Sequence, residues 1–152
     1  MFATCEKSIM YESTKTFHFL PCAHRQWRDE GHCRWVHGYD RSVKLTFHCK
    51  SLDDKGWVMD FGGLKEIKVF LEDKFDHTLL INEDDPEIDF FQQMHQKDLC
   101  KLVVLPNVGM EGSAKFIFEW VQKWLEKETN DRVSLYSVEC MENEKNSAIY
   151  KG

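Results

Sequence analysis

Ser42-Val43-Lys44-Leu45-Thr46-Phe47-His48-Cys49 alternates polar and apolar side chains at every step, and a two-residue period is the pattern of a β-strand with one buried face. Upstream, Lys15 to Ala23 is rich in β-branched and aromatic residues and reads as a second strand. Arg25 to Val36 lies between them, too long for a tight hairpin, and holds charges, two tryptophans, a histidine and a cysteine. A loop of that length and content is often functional.

Working downstream, Asp53 to Gly56 predicts a turn and Trp57 to Phe61 a short strand. Leu64, Ile67, Lys68, Leu71 and Phe75 then recur at helical spacing. Pro86 is suited to open a second helix through about Lys97, and Leu99 to Leu105 reads as a short apolar segment or strand. Phe116, Ile117, Trp120, Val121 and Trp124 form the broad apolar face of a long helix, with Gly112 and Ser113 before it and Ser113 placed to cap it. Val133 to Met141 and Ala148 to Lys151 predict two more strands around a polar turn at Glu142 to Asn146. The order is two strands, helices, two strands.

The 152 residues suit a single domain with an ordinary core. With 20 Lys+Arg scattered among 26 Asp+Glu, for a net charge of −6, no basic surface for nucleic acid is expected. The longest apolar runs fall far short of a membrane span, and Met1 to Phe19 has no apolar signal-peptide centre, so a cytosolic protein is expected. The cysteines at 5, 22, 33, 49, 100 and 140 are irregularly spaced and form no CxxC pair. That favours reduced thiols, mostly serving as small core residues, over disulfides or a zinc ribbon.

His24, His32, Cys33 and His37 fall within fourteen residues, and all four side chains can bind metal or move protons. Pairing the first two strands would set His24 beside His37 at one end of the sheet; the alternative is a set of histidines that merely solvate a loop. Cys33, between His32 and Arg34, is the best candidate for a reactive thiolate, against an inert thiol packed on Trp35. In Asp76-His77 a carboxylate can orient an imidazole. Glu139 sits in an otherwise apolar strand, where it requires a donor unless it faces outward in a surface ion pair.

Together these residues resemble the family of 6-pyruvoyltetrahydropterin and 6-carboxytetrahydropterin synthases. The resemblance is carried by Phe19-Leu20-Pro21-Cys22-Ala23-His24, Cys33-Arg34-Trp35-Val36-His37-Gly38, Gly56-Trp57-Val58-Met59-Asp60-Phe61 with Leu64-Lys65, Phe75-Asp76-His77 through Leu80 and Asn82, and Val138-Glu139 ahead of Ile149-Tyr150. The four-residue step from Cys33 to His37 is similar to the 6-carboxytetrahydropterin synthase branch. The resemblance implies an α+β tunnelling fold (T-fold) over residues 1–152: a four-stranded antiparallel sheet with helices on one face, joined into a barrel in a homo-oligomer, a trimer or hexamer, with the active site between subunits. It further implies Zn2+ held by His24 and His37, Cys33 as the proton-abstracting thiolate, Asp76 and His77 as a proton relay, and Glu139 as anchor for a small-molecule pterin. The implied reaction is a lyase step on 7,8-dihydroneopterin triphosphate or a related pterin, on the route to 7-deazapurines of the queuosine type. A pyruvoyl-forming or aldolase-type reaction, or a pterin- or purine-binding homologue without catalysis, stands as the alternative.

The chain departs from that family where a His-Gly-His sequence is usual and His37-Gly38-Tyr39-Asp40 stands instead. Tyr39 falls at the usual third zinc ligand, and a phenol with an ordinary pKa of about 10 is a poor one. His32 ranks first as a replacement, then Asp40, with a metal-free site as the remaining option. Before the long helix, Gly112-Ser113-Ala114 with an earlier Glu111 replaces the usual Thr-Ser/Ala-Glu. Extra sequence between Asn82 and Gly112, with Asp84 and Asp85, either covers the site entrance or elaborates the surface.

Overall fold

The computed structural model describes residues 10–152, so Cys5 lies outside the described residues. Its strands are β1 (Tyr11–His24), β2 (His37–Cys49), β3 (Thr78–Asn82), β4 (Leu102–Leu105), β5 (Val133–Met141) and β6 (Ser147–Lys151). Three α-helices accompany them: α1 (Lys65–Phe75), α2 (Ile88–Gln96) and α3 (Met110–Thr129). The strands form one sheet in the order β4-β3-β1-β2-β5-β6. The four-stranded antiparallel sheet expected for this α+β tunnelling fold is present as β1, β2, β5 and β6; β3 and β4 extend it in parallel from β1.

On β2 the odd positions Val43, Leu45, Phe47 and Cys49 are buried, as the alternation requires. They meet Ile67 and Leu71 of α1 and Ala114, Ile117, Val121 and Leu125 of α3 in one core. On β1 the register slips between Phe17 and Leu20, and Phe19 sits in the slip at φ 62° with its ring exposed. A bulge of this kind exchanges the two faces of a strand, so the buried positions become the even ones, Leu20 and Cys22. That phase brings His24 round to the face of His37, its partner across the ladder.

The helices do not all lie on one face. Leu80 joins the main core, whereas Leu79 and Ile81 pack with Phe91 of α2 in a second cluster. Successive residues of a strand point to opposite faces, so α2 covers the side of the sheet away from α1 and α3. A parallel strand buried on both sides is a short continuous apolar run with no alternation to read, and Thr78-Leu79-Leu80-Ile81-Asn82 is buried at every position.

Trp57 to Phe61 is not a strand. Its backbone is met by side chains and turns: the Asp53 carboxylate accepts from the N–H groups of Lys55 and Trp57, Asp60 accepts from Gly62, and Arg132 donates to the carbonyls of Ser51 and Val58. Ser113 is not a cap either, because α3 starts at Met110 and buries Ser113 in its first turns. Among the described residues no helix is long and apolar enough to cross a membrane, and the five cysteines described are all free.

Candidate active site

The β1–β2 ladder ends on the pair His24 and His37, and their Nε2 atoms stand 3.2 Å apart. Tyr39 completes an edge-to-face cluster of three rings, with centroids 5.9 Å from His24 and 5.4 Å from His37. These rings line a cavity of about 280 Å³ together with Cys33, Glu111 and Glu142. Its floor is the turn Val108-Gly109 that starts α3.

Cys33 reaches this cavity because its loop is pinned. The Gln26 N–H donates to the Cys33 carbonyl at 2.8 Å, and the Asp29 carboxylate accepts from the Cys33 N–H at 3.2 Å. From outside the loop, Asp85 pairs with Arg25, while Asp84 accepts from Arg28 and Trp27. The acidic pair in the extra sequence after Asn82 thus clamps the loop rather than decorating the surface. The Arg34 guanidinium turns to the carbonyls of Glu30 and Gly31 and lies over Trp35.

Arg41 is the site residue that the sequence reading passed over. It is 1% exposed, on the same face of β2 as His37 and Tyr39, and no carboxylate is paired with it among the described residues. Its guanidinium donates to Ser113 Oγ at 2.9 Å, to the Val108 carbonyl at 3.1 Å, and to His24 Nδ1. A charged residue among the core-facing positions 41, 43, 45 and 47 was the available signal. Burial first, then the Arg41 charge and His37, push the His24 pKa down to about 3, so the ring is neutral at neutral pH. Burial likewise lifts the Cys140 thiol to about 12 and raises Cys22, as befits packed, unreactive cysteines.

The hydrogen bonds fix the tautomers. Arginine only donates, so His24 Nδ1 is an acceptor and the ring proton is on Nε2. His37 Nδ1 lies 2.6 Å from the Trp35 carbonyl, an acceptor only, so its proton is on Nδ1 and its Nε2 is free to accept. His24 Nε2–H therefore donates to His37 Nε2.

That arrangement does not fit the zinc ion implied by the resemblance. The 3.2 Å spacing matches the roughly 3.3 Å edge of a tetrahedral site with Zn–N bonds near 2.05 Å. A ligating Nε2 must lack a proton, however, and its Nδ1–H needs an acceptor, whereas Arg41 offers His24 another donor. Among the described residues no three His, Cys, Asp or Glu side chains gather closely enough to hold a metal ion. His32, ranked first as third ligand, is exposed on the turn His32–Arg34 and does not line the cavity. Asp40 is exposed and borders a different, shallow depression. The nearby Glu142 carboxylate, with desolvation, holds the Tyr39 phenol above its ordinary pKa, further from a phenolate ligand.

The other residues of the expected site stand apart from this cavity. His77, at φ 55°, donates from Nδ1 to Asp76 Oδ1 at 2.6 Å, which leaves Nε2 outward on a ring 84% exposed. His77 borders the same shallow depression as Asp40. Glu139 pairs across the ladder with Lys44, whose neighbours Val43 and Leu45 face the helices, so Glu139 faces the other side of the sheet. The donor it requires is the Ser147 hydroxyl, at 2.7 Å, and Ser147 stands at the cavity rim.

Comparison with known proteins agrees with this architecture. The family pattern of 6-pyruvoyl tetrahydropterin synthase matches residues 12–152, and the chain belongs to that family. A 6-carboxy-5,6,7,8-tetrahydropterin synthase of Rickettsia bellii is 32% identical over 78 residues, 45% of this chain and 56% of the relative, so little more than half of that relative's length is matched. One of Aquifex aeolicus is 24% identical over 138 residues, 78% of this chain and 83% of the relative. Among solved structures, an uncharacterized protein of Wolinella succinogenes superposes with a TM-score of 0.81 at 23% identity, covering 95% of this chain and 99% of that one. The 6-pyruvoyl tetrahydropterin synthase of Plasmodium falciparum superposes with a TM-score of 0.67 at 19% identity, covering 94% and 98%. Both structures share the fold.

Proposed function

We propose that the chain is a pterin lyase of the 6-carboxytetrahydropterin synthase type, acting on 7,8-dihydroneopterin triphosphate or a close pterin, on the route to 7-deazapurines. The observation that carries this reading is Cys33 lining one cavity with the His24–His37 pair. The reaction begins with loss of a proton from a side-chain carbon next to the imine-like ring position. Cys33, as thiolate, takes that proton, and the electron pair passes into the adjacent C=N bond. Side-chain oxygens rest against His24 Nε2–H and His37 Nε2.

Asp76, His77 and Glu139 enter the site from a neighbouring protomer in this reading. Their separation from the cavity within one chain supports a shared site in a homo-oligomer, a trimer or hexamer with joined sheets. Joining also covers the strand edges that an open sheet leaves exposed. Glu139 then grips adjacent N–H groups of the aminopyrimidinone edge through two oxygens, and His77, oriented by Asp76, moves protons at the side-chain hydroxyls. The free cysteines and the absence of a crossing helix among the described residues are in line with a cytosolic enzyme.

Incubation with dihydroneopterin triphosphate, followed by mass spectrometry, tests the reading. Side-chain cleavage in wild type that disappears in Cys33→Ala is expected; no turnover in wild type, or unchanged turnover in the variant, overturns it. The unusual Arg41–His24 contact favours one second reading, a pterin-binding homologue without catalysis. That reading predicts Glu139-dependent pterin binding with no product.

A further inference from the structure

Among the described residues Arg41 is a buried cation without an anion, and its Nε is a buried donor without a partner. Leaving a charge in that state is costly, and three contacts offset part of that cost. Two of them tie it to the start of α3, through Ser113 Oγ and the Val108 carbonyl. The third places the guanidinium directly behind a cavity-lining imidazole, on His24 Nδ1.

We propose that Arg41, acting through His24, makes the histidine pair a receptor for a hydroxyl group of the substrate side chain and stands in the place of a zinc ion. With Nδ1 occupied by Arg41, His24 presents Nε2–H as a donor, polarised by the charge behind it. His37, with Nδ1–H held by the Trp35 carbonyl, presents Nε2 as an acceptor. The two Nε2 atoms, 3.2 Å apart, are bonded to each other in the empty cavity, and an alcohol O–H that parts them replaces that bond by accepting from His24 and donating to His37. A metal chelate would need both Nε2 atoms bare. Arg41 is a positioning residue in this scheme, and the ligand class is a polyol side chain.

The proposal rests on reading the cavity as a pterin-lyase site, so its test avoids turnover. Long-range proton–nitrogen NMR on histidine-labelled protein should show His24 as the Nε2–H tautomer and His37 as the Nδ1–H tautomer. Arg41→Lys, which keeps a charged donor, should preserve the His24 tautomer, and Arg41→Met should lose it. Elemental analysis after dialysis against zinc should find well below one ion per chain in wild type and in Tyr39→His. The double variant Tyr39→His/Arg41→Met should approach one ion per chain. If the Arg41 variants do not fold, the wild-type tautomer and zinc content decide the matter alone. A Nδ1–H tautomer at His24, or one zinc per wild-type chain that is lost in His24→Asn, overturns the proposal. Absence of turnover with the stated tautomers and no zinc would sink the lyase reading and leave only the metal-free donor–acceptor pair set by Arg41 standing.

Discussion

Asp85 and Arg25 meet in a two-pronged ion pair, Nε and Nη2 each 2.7 Å from a carboxylate oxygen, with the Asp85 side chain fully buried and that of Arg25 18% exposed. The pair joins the turn after β3 to the first residue of the Cys33 loop, across sixty positions of sequence. A third hydrogen bond comes to Oδ1 from the Glu87 N–H.

Burial by itself would raise the Asp85 pKa; the hydrogen bonds from Arg25 and Glu87 and the Arg25 charge outweigh it and hold the group below its ordinary value. A depressed carboxylate stabilises the folded state above the unfolded value, near 3.9, and that contribution fades as pH falls through the lower folded value. Asp85→Asn is expected to cost about 2 kcal/mol at neutral pH in urea unfolding. The gap between variant and wild type should begin to narrow below about pH 4 and go on closing as pH falls through the lower folded value; a pH-independent gap would count against the pair as its source.

Cys33→Ala removes a group with no structural bond from its sulfur, since its loop is held through backbone atoms. Turnover by mass spectrometry is expected to fall by about a hundredfold or more, with the unfolding midpoint unchanged.

Glu139→Gln keeps an acceptor for Ser147 and removes the charge. Pterin affinity, read by fluorescence titration, should weaken by roughly tenfold, in keeping with the loss of a charge-assisted hydrogen bond. Stability should stay within about 0.5 kcal/mol of wild type.

Gly112 packs so closely on the turn before α3 that a Cβ there would come within 2.3 Å of the Asn107 carbonyl oxygen. Gly112→Ala is therefore expected to lower stability by about 1–3 kcal/mol, despite alanine's better helix propensity. Because Val108 and Gly109 form the cavity floor, pterin binding measured on the folded variant should weaken as well.

The β1–β2 pair, the placement of His24 beside His37 and the C-terminal hairpin were legible because alternation and turn residues are local signals. β3 was not, since a strand buried on both faces carries no period, and neither was the position of α2 opposite the other helices. Trp57 to Phe61 has the composition of a strand, but Asp53, Asp60 and Arg132 supply the hydrogen bonds around it, and the Arg132 contact to Val58, 74 positions away, is too distant to be read from order. Asp84 and Asp85 were visible as an acidic doublet; which cations they meet is a tertiary fact. Arg41 broke the apolar face of β2, the kind of local conflict that marks a site.

The sheet itself stands between Glu139 and the cavity that holds Cys33, so in the proposed assembly each pocket draws on the front of one protomer and the back of the next. Two crippled variants, one lacking the thiol and one lacking the carboxylate, should then gain activity together after co-refolding, because mixed rings contain pockets with both groups intact. Dilution below the association threshold should abolish that rescue together with wild-type turnover.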